Sequence, residues 1–329
     1  MTVADESPGQ AGHRAPAGDG RAVAVLALLV TATIWGTTAI GTKVALETYP
    51  PFILSVGRWL ISLGVLLPLM FRLGIRPILD RRTAVLGLFG ILGFNMFYTF
   101  GLERTTAANG SLINGALPVI VASTSFVALK ERLAALNVVG ITTSLVGVAI
   151  TIVGATLDAS ILGNLLIFAA VLSWAIYTIY NRQRMRGENT MAIISGAALF
   201  GLLLMLPLAA VEWARESPPA PGMRLAAIIV YLSLGPAMAA NYLWIFALIR
   251  VSASQAAVFS NLTPIVGIAL SGLILKEPIT RFHVIGSVLV ILGVVLTTWR
   301  RPTVGQPAAS MKSIATNPVS PAAETSIHR

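Results

Sequence analysis

Cysteine is absent from all 329 residues, which excludes disulfides, thiol catalysis and thiolate metal sites. Histidine is nearly absent. His13, His283 and His328 are scattered, two of them near the chain ends, and offer no ligand cluster at metal-binding spacing. Charge is scarce: only 11% of residues are charged and 56% are hydrophobic, where ordinary soluble domains carry roughly a quarter charged residues. A water-soluble protein of this size has too little interior to hide that much apolar surface. The local signatures of catalysis are missing too. The chain has no HExxH, no GxSxG, no Walker A loop and no paired aspartates within its apolar runs. An enzyme is not expected, and neither is a cofactor or a metal.

What remains is a set of apolar runs, each near the roughly 20 residues that span a bilayer. Backbone groups in lipid must be satisfied within the span, so only helices or a closed barrel are admissible. Continuous runs without period-two alternation choose helices. The spans are predicted at 22–42, 52–72, 84–102, 108–129, 136–155, 162–180, 191–211, 225–249, 253–275 and 282–299. Residues 1–21 and 300–329, rich in Pro, Ala, Gly or Ser, read as disordered tails. The first apolar run is too long for a secretory signal and has no small-residue cleavage site before Lys43. The net charge of +10 does not point to nucleic acid, because the basic residues lie in short loops and at the ends, without a basic stripe.

The chain repeats itself. Shifted by 146 positions, residues 95–151 fall on 241–297 without a gap, and fifteen of the fifty-seven pairs are identical. The identities include Asn95/Asn241, Pro118/Pro264, Lys130-Glu131/Lys276-Glu277, Gly140/Gly286 and Gly147/Gly293. Such an internal repeat is read before anything else. Ten spans make two sets of five. Five is odd, so the second set enters the membrane from the opposite side. The predicted fold is an all-α membrane protein of ten transmembrane helices in two inverted five-helix repeats, at 22–155 and 161–299. With the N-terminus in the cytoplasm, sixteen Lys and Arg fall inside and six outside. That bias obeys the positive-inside rule and puts both termini in the cytoplasm.

These residues carry a resemblance. The runs Leu117-Pro118…Leu129-Lys130-Glu131-Arg132…Gly140…Gly147 and Thr263-Pro264…Leu275-Lys276-Glu277…Gly286…Gly293 resemble the EamA-type transporters of the drug/metabolite superfamily. So do Ile34-Trp35-Gly36, Gly57-Arg58-Trp59 and Ser173-Trp174-Ala175. The resemblance covers about residues 22–300, and Pro278 departs from it where the first copy has Arg132. It implies a multi-pass carrier of the bacterial inner membrane that moves a small metabolite or drug by alternating access. A sensor or scaffold on the same fold, without transport, is the alternative. The partners expected are a small-molecule substrate and the lipid bilayer, with no nucleic acid; a homodimer is one admissible assembly. Substrate, direction and coupling ion are left open.

Several residues are candidates for the site. Pro118 and Pro264 fall mid-span, where proline removes a backbone donor and kinks a helix; hinges in a gate or static kinks both fit. Arg58 lies about six residues into the second span, roughly 9 Å deep by helical rise. It either snorkels to the outer headgroups or attracts an anionic or carboxylate-bearing substrate. Trp35 and Trp174 occupy matching places in spans one and six, lining an apolar cavity or simply packing. Asn95 and Asn241 are followed three residues later by Tyr98 and Trp244 on the same helical face. Each pair offers an amide beside an aromatic ring, for substrate at the repeat interface or for interhelical hydrogen bonds. Lys130-Glu131 and Lys276-Glu277 read as tight structural turns, with a gate latch as the sharper alternative. Gly140, Gly147, Gly286 and Gly293 read as helix-packing positions.

Overall fold

The computed structural model describes residues 18–129, 135–154, 160–185, 187–248, 250–251 and 259–298. Most of both predicted tails, the Lys130-Glu131 turn and the start of the ninth predicted span lie outside the described residues. Every regular element among the described residues is a helix. In order they are α1 (Gly18–Gly36), α2 (Thr38–Leu46), α3 (Pro51–Arg72), α4 (Arg81–Leu86), the π-helical segment π1 (Gly87–Gly93), α5 (Phe94–Arg104), α6 (Ala107–Gly115) and α7 (Leu117–Leu129). There follow α8 (Ala135–Val153), α9 (Ile161–Arg184), α10 (Thr190–Glu216), α11 (Met223–Leu234), the second π-helical segment π2 (Gly235–Ala239), α12 (Ala240–Leu248), α13 (Leu262–Ile274) and α14 (Arg281–Thr298).

Seven of these are long and apolar enough to cross a membrane: Ala22–Leu46, Pro51–Arg72, Arg81–Arg104, Ala135–Val153, Ile161–Arg184, Thr190–Glu216 and Met223–Ala247. The pair α6 and α7, bent by 43°, makes an eighth when taken as one span. Two shorter apolar helices, α13 and α14, stand where the ninth and tenth spans are predicted. The protein is thus an all-α, multi-pass membrane protein. Helix α1 begins at Gly18, inside the stretch predicted as tail. The first span also runs past its predicted end at 42, because Thr42 and Ala45 are buried against the bundle.

Local chemistry sets the helix starts. Asp80 accepts from the Thr83 N–H while Thr83 Oγ1 accepts from the Asp80 N–H, a capping box at the start of α4. The Thr83 N–H and then Arg82 hold the Asp80 carboxyl below its ordinary value. Ser160 caps α9 through the Gly163 N–H, and Asn189 caps α10 through the Met191 and Ala192 N–H groups. Large apolar side chains such as Leu60, Phe71, Leu203 and Val288 are exposed on the outside of the bundle. In a membrane protein that surface faces lipid tails.

Inside, helix α6 is buried from Ala107 through Ile113. The glycines predicted to be packing positions bring helices together. A methyl group at Gly140 would lie 2.7 Å from the Gly293 carbonyl oxygen, and one at Gly147 would lie 2.9 Å from that of Gly286. Helices α8 and α14 therefore run antiparallel with their backbones in contact. The first helix, α1, packs on α12 and α13, and α9 packs on α5, α6 and α7. In the 146-residue register α12 corresponds to α5 and α13 to α7, so α1 and α9 each embrace the opposite half.

Candidate functional site

The two π-helical segments are the centre of the site. In the 146-residue register π1 falls on 233–239, which overlaps π2, so both halves are interrupted at the same place. The first interruption is glycine-built. Gly87 and Gly201 bring π1 against α10, where a methyl at Gly87 would sit 2.6 Å from the Ala197 carbonyl oxygen. The rings and hydroxyls of α9 fill the other side at Gly90 and Gly93. The second is built on Pro236, which has no N–H to give the Leu232 carbonyl four residues earlier. A helix turned out of α register leaves carbonyls in need of donors, and in lipid water does not supply them.

The donors come from the predicted site residues. Asn95 Nδ2 donates to the Ile91 carbonyl at 2.7 Å, and Asn241 Nδ2 donates to the Ala237 carbonyl at 3.0 Å, the equivalent atom 146 residues on. Asn241 also reaches the Pro236 carbonyl at 3.1 Å, and Trp35 Nε1 reaches the same oxygen at 3.3 Å. Arg58 Nη2 donates to the Leu232 carbonyl at 3.3 Å, the one Pro236 leaves open, and Ser62 Oγ donates to the Ser233 carbonyl at 2.8 Å. On the first segment, Ser173 Oγ donates to the Phe89 carbonyl at 2.8 Å.

The aromatic residues sort with the same two segments. Trp35 packs on Trp244 with centroids 5.5 Å apart. Trp174 packs on Phe94 at 5.1 Å, and Phe94 stacks on Tyr98 at 5.3 Å and 13°. Each tryptophan belongs to the first helix of one predicted repeat and meets the third helix of the other. The site residues thus form two groups: Trp35, Arg58, Asn241 and Trp244 around π2, and Asn95, Tyr98 and Trp174 around π1. Helix α3, which carries Arg58, packs on both α11 and α5 and so runs beside both groups. The equivalent amides differ in setting, Asn95 being buried and Asn241 exposed.

The prolines lie beside a third set of interruptions. Pro118 opens α7 just after the break at Ala116, and Pro264 lies in the first turn of α13, after the turn at Asn261. A methyl at Gly115 would sit 2.9 Å from the Pro264 ring, and one at Gly36 would sit 3.0 Å from the Thr263 carbonyl oxygen. The interruptions at Thr37, Ala116 and Asn261 therefore pack together.

One end of the bundle is tied by charge. Glu277 accepts from the Ala107 and Ala108 N–H groups at 2.7 and 2.9 Å, so it closes the N-terminus of α6 from across the chain. Lys43 Nζ donates to the Leu102 and Thr105 carbonyls, each at 2.6 Å. Lys276 holds a left-handed backbone, φ +55°, which turns the chain so that Glu277 faces α6. The repeat of Lys-Glu in the sequence marks this residue, but its partner is a helix end 169 to 170 positions away. Ser62 carries no sequence signal beyond lying one turn from Arg58, and Ser173 none beyond its place in the Ser173-Trp174-Ala175 run.

A helical bundle whose spans break at matching places, each break served by side chains from the opposite half, is the build of a membrane transporter. The chain belongs to the EamA-like transporter family, which it matches over residues 22–153 and 161–299. It is similar to the uncharacterized transporter YetK of Bacillus subtilis (strain 168), 29% identical over 88% of this chain and 92% of that one. It is also similar to proteins named probable amino-acid metabolite efflux pump. The one from Salmonella typhimurium is 27% identical over 83% of this chain and 94% of its own length. The one from Escherichia coli (strain K12) is 25% identical over 84% and 96%. A crystal structure 21% identical in sequence covers 84% of this chain and 98% of its own with a TM-score of 0.60, a likeness of fold alone.

Proposed function

We propose that this protein is a secondary transporter that exports a small metabolite or drug across the inner membrane, by alternating access between two inverted five-helix repeats of a ten-span bundle. The observation that carries the reading is the pair of interrupted helices at corresponding positions, π1 and π2, each served by donors from the opposite half. Paired interruptions of this kind mark transporter sites near the midplane. The inversion is supported by the glycine contacts. Gly140 meets the equivalent of Gly147, and Gly147 meets the equivalent of Gly140, across antiparallel helices. A two-fold axis in the membrane plane produces that reciprocal pairing. The charge bias puts both termini in the cytoplasm, and the Lys43 and Glu277 ties then lie on the outer side.

In this cycle Trp35, Arg58, Asn95, Tyr98, Trp174, Asn241 and Trp244 bound the solute path, and the breaks at Pro118 and Pro264 let one half tilt on the other. The ties made by Glu277 and Lys43 close the outer end and must part for release. The efflux pumps among its relatives support export and favour amino-acid metabolites as cargo. The partners in this reading are the solute and the bilayer. Purified protein in liposomes preloaded with a mixed amino-acid pool is expected to take up individual labelled amino acids by counterflow. Protein that binds solute yet never moves it would make the chain a sensor.

A further inference from the structure

Arg58 is a cation inside a span, and among the described residues no acid pairs with it. It lies seven residues into α3, about 10 Å along the helix from its outer end by helical rise. It is turned toward α11 rather than outward, because Nη2 bonds the Leu232 carbonyl, itself a fully buried residue. Nε is buried and has no partner. Among the described residues no ion pair reaches Arg58. A single carbonyl does not neutralise a guanidinium. A charge kept at membrane depth without a protein counter-ion points to a counter-ion that arrives from elsewhere.

The geometry of the group narrows what arrives. A guanidinium offers planar, forked N–H donors matched to a planar carboxylate. One donor is committed to Leu232, and the rest of the head is uncommitted while the side chain keeps partial exposure. Helix α5, which packs on α3, starts an aromatic row, Tyr98 on Phe94 on Trp174, with Trp174 half-buried and Tyr98 enclosed. That row has no charge and suits an apolar side group.

We infer that Arg58 binds the carboxylate of the transported solute, and that the solute is a small carboxylic acid, such as an amino acid, whose apolar part lies along Tyr98, Phe94 and Trp174. This rests on the transporter reading above. The same residue keeps its structural bond to Leu232, so the site is built into the break at Pro236 and does not depend on a mobile loop.

The test compares acids with their carboxamides. Purified full-length protein in detergent is titrated with L-leucine, L-phenylalanine, L-leucinamide and L-phenylalaninamide, reading thermal stabilisation, which reports binding to the folded state. The acids are expected to bind at least tenfold more tightly than the amides. Arg58→Gln, which keeps a donor for the Leu232 carbonyl, is expected to lose that preference. Arg58→Lys is expected to keep part of it and serves if the glutamine variant folds poorly. Equal binding of acid and amide, an unchanged preference in both variants, or no binding of either acid would overturn the inference. Liposome counterflow separates this from the transport reading. Protein that moves solutes but treats acid and amide alike refutes only the carboxylate site. Protein that binds acids through Arg58 but moves nothing refutes only transport.

Discussion

Lys276 and Glu277 show how much one turn does here. The left-handed φ of Lys276 costs an L-residue on the order of 1 kcal/mol, at the turn that brings Glu277 to the start of α6. Lys276→Gly is therefore expected to hold or raise the melting temperature of the purified protein, and Lys276→Val to lower it. Glu277→Gln removes the charge from the α6 cap and is expected to cost about 1 kcal/mol, the usual worth of a helix cap, measured by thermal unfolding in detergent. Asn95 and Asn241 carry the complementary lesson. Asn95→Ala is expected to cost about 0.6 kcal/mol, the mean for polar contacts in membrane helices, because the buried Ile91 carbonyl loses a donor. Asn241→Ala is expected to cost less, its amide being exposed; an equal loss in both would mean that exposure does not set the value of these bonds. The match of the two asparagines is plain in the sequence. What the amides bind is not, because the carbonyls they serve exist only once the helices depart from α register.

At the scale of elements, the breaks decide more than the helices. The bend of 43° between α6 and α7 places Pro118 at the start of a helix, where its missing N–H costs little. Pro118→Ala and Pro264→Ala are expected to fold, alanine being a good helix former, and to slow counterflow by restoring straighter helices. Parental rates in both variants would reduce the breaks to packing features. Gly293→Leu tests the opposite property, rigidity. Its side chain would enter the space of the Gly140 carbonyl and Ser144, and overpacking of that kind costs typically about 1–3 kcal/mol. The expected result is a lower melting temperature with a smaller folded yield. The glycine seam is legible from the 146-residue repeat; the prolines predict mid-span kinks, whereas the chain breaks at Ala116 and Asn261 and leaves each proline in the first turn of the helix that follows. The π-helical segments are not legible there: the run Gly87, Gly90, Gly93 has helical spacing, and only the approach of α9 and α10 makes those glycines necessary.

For the whole molecule, the charge bias predicts where each loop lies. Because the chain has no cysteine, single substitutions report cleanly. Ala220→Cys is expected to react with a membrane-impermeant thiol reagent from outside intact cells, and Gln183→Cys only after the membrane is opened. Labelling of position 183 from outside would overturn the orientation. The sequence alone determined the membrane character, the positions of the long helices and the register that relates the two halves. These follow from composition and from hydrogen bonds that close within one span, four residues apart. Tertiary structure decided the site. Carbonyls freed at a break must find donors wherever the fold brings them, and those donors came from 201 positions away for Trp35 and Pro236, 174 for Arg58 and Leu232, and 84 for Ser173 and Phe89. Hydropathy and local spacing carry no record of such pairs, because in lipid the need for them arises only after the spans have packed.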